Sequence, residues 1–111
     1  MSAAPASSSR RAAARADGRG VRWPSKQPGE RLDFAIDWTE RLEGDAIAAS
    51  QFAVPPGILG EASSRSATST TIWLSAGVDR RSYLIVNSIT TAAGRVMRQA
   101  VMIKVRAKSR A

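Results

Sequence analysis

The chain of 111 residues contains no cysteine and no histidine. Without cysteine there is no disulfide staple and no thiolate nucleophile, and without either residue there is no zinc site of the usual Cys/His kind. Lacking an imidazole also removes the side chain whose ordinary pKa lies closest to neutrality. Aromatic residues are few, at three Trp, two Phe and one Tyr. They sit in core-like patterns rather than interleaved with cations, so the stacking platform of a single-strand nucleic-acid binder is missing. No apolar run approaches the length of a bilayer span, and the first residues lack the apolar region of a secretory signal, so a soluble chain is expected. Acid is absent from the end of the chain, where every charged side chain after Asp79 is basic. A chain this short makes one domain at most, with a modest core that favours support from further copies or a partner.

The formal charge of +8 is unevenly placed. Arg10, Arg11, Arg15, Arg19 and Arg22 face a single acid, Asp17, whereas Glu30, Asp33, Asp37, Glu40, Glu43 and Asp45 crowd the next stretch. At the end, Lys104, Arg106, Lys108 and Arg110 alternate with Val105, Ala107 and Ser109, which sets four cations on one side of an extended segment. Basic ends and an acidic stretch between them suit steering between copies or onto acidic partners, while a solvated surface is the plain alternative for any single charge. The candidate partner-binding residues are Arg10, Arg11, Arg15, Arg19, Asp33, Asp37, Lys104, Arg106, Lys108 and Arg110. The basic tail could also track a phosphate backbone, which makes nucleic acid the rival but disfavoured partner.

Catalytic equipment is not expected. Asp33 and Asp37 share a strand face, but four residues of strand separate them by roughly 13 Å, too far for two acids to share one proton or one ion. Ser75-Ala76-Gly77 lacks the flanking pattern of a nucleophile elbow, and no Gly-rich phosphate loop occurs. No catalytic, cofactor-binding or metal-ligating residue, no cofactor, no small-molecule substrate and no membrane is assigned.

Three segments follow from composition. Residues 1–22 form an Ala/Ser/Arg-rich basic arm with too little apolar surface for a core, read as flexible; a short helix across Arg10 to Ala16, marginal in isolation, is one option within it. Residues 23–106 are the domain and 107–111 a basic tail. Trp23 anchors a Pro-punctuated approach, after which Leu32, Phe34, Ile36 and Trp38 alternate with Asp33 and Asp37, the period of a half-buried strand. Glu40 to Asp45 read as a polar turn, Ala46 to Val54 as a strand ended by Pro55-Pro56-Gly57, and Ile58 to Ser66 as a loop or short edge strand. A β-branched strand from Thr68 stops at Ala76-Gly77, and a closing hairpin runs from Tyr83 through Gly94 to Val105, with Trp38 and Trp73 read as core. Strands at such spacing predict an all-β fold, a small Ig-like β-sandwich of about five to seven strands with Greek-key connections.

Five blocks resemble a family of small tailed-phage virion proteins, the fiber-tail adaptors. They are Trp23-Pro24-Ser25-Lys26, Leu32 through Trp38, Asp45 through Ser50, Ile72-Trp73-Leu74-Ser75, and Tyr83 through Asn87 to Arg95. The family's usual Gly-Gly after the Trp-Leu-Ser element is Ala76-Gly77 here, and the arm before Trp23 lies outside the resemblance. The resemblance implies an Ig-like, non-enzymatic joint linking fibers to the tail or neck, present in several copies in a virion made in the bacterial host cytoplasm. Its partners would be tail, neck or fiber proteins. Capsid decoration or cement is the nearest alternative, since small Ig-like domains with arms suit that role too.

Overall fold

Alternation along one strand organises the molecule. In the computed structural model, which describes residues 12–17 and 20–107, Phe34, Ile36 and Trp38 are fully buried along and just beyond β3 (Leu32–Asp37). The other described strands are β1 (Ala12–Arg15), β2 (Val21–Arg22), β4 (Ile47–Ala53), β5 (Ile58–Arg65), β6 (Ser69–Ala76), β7 (Ser82–Thr91) and β8 (Val96–Lys104). One sheet has the order β1-β3-β6-β5 and the other β2-β8-β7-β4. The chain crosses between sheets after β1, β2, β3, β4 and β6 and turns back as a hairpin after β5 and β7. With the N-terminal strand divided between the sheets, this is the ABED/CFG arrangement of an Ig-like sandwich.

The core lies between the sheets. Ile72 and Leu74 of β6 meet Ile85 and Ile89 of β7 and Val101 and Ile103 of β8, all buried. Tyr83 closes one corner: its hydroxyl accepts the Val78 N–H at 2.9 Å, five residues upstream, as the tyrosine corner of Ig-like sandwiches does. The closing hairpin forms as the sequence indicates, with Tyr83 opposite Ile103 and Ile85 opposite Val101.

Three local readings are corrected. Ala12 to Arg15 is a strand, not a helix: it pairs in parallel with β3, Ala13 opposite Ala35, and Ala16 N–H continues the ladder to the Asp37 carbonyl at 2.8 Å. Ala14 and Ala16 are buried there, and a tertiary ladder overrides the helix propensity of alanine. The stretch after Gly57 is a full eight-residue edge strand, β5, held by its pairing to β6 with a bulge between Gly60 and Ala62. Trp73 is not core. Ile72 and Leu74 take the inward positions of β6, so Trp73 lies half-buried on the outer face, with the Arg31 guanidinium 4.5 Å from its ring centroid.

The polar turn after Trp38 contains one helical turn, α1 (Thr39–Leu42). Asp37 starts it by accepting from the Thr39 N–H and hydroxyl, and Leu42 buries its side chain.

Candidate partner-binding site

Several residues that carried the resemblance form the internal ties of the fold. Asn87, fully buried on β7, accepts hydrogen bonds at its Oδ1 from Trp38 Nε1 at 3.0 Å and the Thr70 hydroxyl at 2.7 Å. Its Nδ2 donates to Ser50 Oγ and to the Gln51 carbonyl, so one amide joins β6 of the first sheet to β4 and β7 of the second. Trp23 donates from Nε1 to the Ala35 carbonyl at 2.8 Å and packs on Phe34. Among the described residues no buried side-chain nitrogen or oxygen lacks a partner.

Lys26, which sequence reasoning passed over, is 1% exposed. Its Nζ donates to the carbonyls of Gln27, Glu30 and Ala76 at 2.7, 2.8 and 2.7 Å, using all three ammonium protons. Burial lowers its pKa from the ordinary lysine value, against the opposing pull of Glu30. A cation with every proton bonded to backbone is a structural rivet, not a group offered to a ligand.

The sequence-predicted charges separate into two poles. Arg10, Arg11, Arg19, Lys108 and Arg110 lie outside the described residues. Asp33 and Asp37 share the outer face of β3, but Asp33 is only 9% exposed. Asp37 has its pKa lowered, chiefly by the Thr39 hydrogen bonds. Arg15 reaches Glu40 at 3.5 Å. Asp45 is held between α1 and the closing hairpin: Thr91, the Ala46 N–H and Arg95 lower its pKa to about 2. The acidic stretch is therefore largely tied within the molecule.

The opposite pole is not. The turn between β6 and β7 lies against the end of β8, with Arg80 N–H on the Val105 carbonyl and Val105 N–H on the Arg81 carbonyl. This sets exposed Arg80 and Arg81 beside exposed Lys104 and Arg106. The sequence separates these two pairs by over twenty positions. Only the hairpin register brings them together. The nearby acid, Asp79, accepts the Ala107 N–H. No cluster of three acidic residues that could hold a metal ion occurs among the described residues.

The ties at Lys26, Asp45 and Asn87 fall inside the span, residues 26–104, matched by the podophage GP4 fiber-tail adaptor protein gp77 family. The chain belongs to that family. It is a phage fiber-tail adaptor structural protein. The matched span begins after β1 and β2. Among solved structures, the solution structure of the PKD domain from KIAA 1837 protein resembles the adaptor with a TM-score of 0.53 and 15% identity, covering 86% of this chain and 89% of that one. At that identity the likeness concerns the Ig-like fold alone. No curated protein sequence matches the adaptor.

Proposed function

We propose that the adaptor joins tail fibers to the tail or neck of the particle, in several copies, by binding neighbouring virion proteins without catalysing a reaction. The observation that carries this reading is the family match over residues 26–104. The charge distribution supports it: the acids are tied within the fold, while the cations Arg80, Arg81, Lys104 and Arg106 converge at one exposed pole that suits an acidic neighbour. Arg10, Arg11, Arg19, Lys108 and Arg110 are proposed as further cationic contacts and Asp33 and Asp37 as acidic ones, while Arg15, on Glu40, belongs with the acids at the other end rather than with this pole.

Cryo-EM of particles made with and without the chain tests the assignment. The expected result is density of the sandwich between fiber and tail, lost together with the fibers when the chain is absent. Density spread over the capsid lattice, with fibers retained in its absence, would assign a cement role instead.

A further inference from the structure

The outer face of the second sheet differs in kind from that of the first. Register places Arg22 of β2 beside Met102 of β8 and Met102 opposite Leu84 of β7, with Val86 opposite Ala100 one row on. Leu84 is 49% exposed, and Val86 and Met102 are half-buried, so the centre of this face is apolar and open. Arg22, Arg98 and Lys104 stand around it, all exposed, and no carboxylate from the described residues lies on these outward strand positions. None of the three cations forms an ion pair with another described residue. At the first sheet, by contrast, two cations are paired, Arg31 with Glu61 and Arg15 with Glu40.

We propose that this face, centred on Leu84 and Met102 and rimmed by Arg22, Arg98 and Lys104, is where the adaptor docks an acidic-rimmed, apolar protein surface of another virion component. An apolar centre with a charged rim is the usual anatomy of a protein–protein contact. Charge complementarity selects the occupant. A second copy also carries +8, and its Glu61 and Glu40 are already paired with its own Arg31 and Arg15, so copies gain little from each other here. Nucleic acid is a poor fit, because no aromatic side chain stands on this face to stack a base. The face runs into the basic pole through Lys104, so the two form one surface.

The inference rests on the adaptor reading, and one experiment separates them. Full-length chain is added to adaptor-deficient particles, and copies bound per particle are counted. Wild type is compared with Leu84→Glu/Met102→Glu, with Arg22→Glu/Lys104→Glu, and with Leu59→Glu, an exposed apolar position on the first sheet. Wild type and Leu59→Glu should load equally, and both second-sheet variants should lose at least about tenfold in loading. If Leu84→Glu/Met102→Glu fails to fold, the exposed cation pair reads the same face. Normal loading by the folded second-sheet variants overturns the face while leaving the adaptor reading intact. Failure of wild type itself to load overturns the adaptor reading and this inference with it. Concentration-dependent self-association that these substitutions abolish reassigns the face to a second copy, and salt-steep duplex binding lost in Arg22→Glu/Lys104→Glu with normal loading reassigns it to nucleic acid.

Discussion

Arg95 Nη2 donates to Asp45 Oδ2 at 3.1 Å, fastening residues fifty positions apart across one end of the sandwich. The same Arg95 nitrogen also reaches the Leu42 carbonyl at 2.8 Å, while Asp45 Oδ1 accepts the Ala46 and Ala93 N–H groups. This clasp ties α1 to the turn of the β7–β8 hairpin, and two blocks that carried the family resemblance are its two halves.

The clasp makes the adaptor acid-sensitive in a defined window. Thr91 first, then Ala46 and Arg95, hold the Asp45 pKa at about 2, below its ordinary 3.8. A carboxylate with a lowered folded pKa contributes stability that is complete above the unfolded value and is lost as pH falls from 3.8 toward about 2. Trp fluorescence followed through acid titration should show a shallower loss of stability in Asp45→Asn over this window. Asp37 and Glu61, also held low, by Thr39 and by Ser75 respectively, retain a slope in the variant. A variant profile that overlays wild type would show that the clasp does not act through the Asp45 charge.

The Asn87 amide is the second tie. Asn87→Leu removes the acceptor of the Thr70 hydroxyl, leaves Trp38 Nε1 only its longer bond to Thr70 Oγ1 at 3.3 Å, and leaves Ser50 Oγ and the Gln51 carbonyl to find other partners. The expected cost is about 2–4 kcal/mol in urea unfolding, because buried donors lose their acceptor. Ser50→Ala, at a half-buried position, should cost under about 1 kcal/mol. Equal costs for the two substitutions would mean that the network is not centred on Asn87.

At Ala76-Gly77 the resemblance would place Gly-Gly, and the backbone shows what a side chain costs at the first position. Ala76 sits at φ 62 and Gly77 at φ 101, both left-handed, and the Ala76 carbonyl accepts from Lys26. A side chain in the left-handed region costs roughly 1–2 kcal/mol. Ala76→Gly should therefore stabilise the adaptor by about 0.5–1 kcal/mol, part of the relief being offset by added freedom in the unfolded chain. Gly77→Ala should destabilise it, since a Cβ there would stand 2.7 Å from Val105 Cγ2. Opposite signs for the two neighbouring substitutions are the test. Destabilisation by Ala76→Gly would show that left-handed strain is not what this position stores.

How much of this was legible in the sequence depends on where each element gets its order. β3 and the β7–β8 hairpin carry their burial in their own alternation, so Phe34, Ile36, Ile85 and Val101 could be assigned inward directly. β5 has only Ile58 buried among Gly, Ala and Ser, and its order comes from the ladder to β6, which local composition does not encode. β1 reads as a helix candidate because alanine favours helices, yet its partner strand lies some twenty residues downstream. At the surface, the C-terminal cations were visible as a pattern. Their convergence with Arg80 and Arg81 was not, because it depends on a turn meeting the end of a distant strand.

That convergence supplies the sharpest test between an acidic protein neighbour and nucleic acid. If Arg80, Arg81, Lys104 and Arg106 bind phosphates as their main task, duplex affinity should fall by roughly one log unit per log unit of salt for each phosphate neutralised. Replacing all four by Ala should then abolish binding. If they hold an acidic virion protein, wild-type affinity for duplex or single strand should be weak at physiological salt, and the quadruple variant should yield particles lacking fibers. The second outcome is expected. Trp73, half-buried on the outer face of the first sheet, already carries the Arg31 guanidinium over its ring, so it is no open stacking platform for these cations. All four are exposed, so their removal should leave the fold intact and unfolding by urea nearly unchanged. Tight, salt-steep DNA binding by wild type together with normal fiber attachment by the variant would overturn the protein-docking role of this pole.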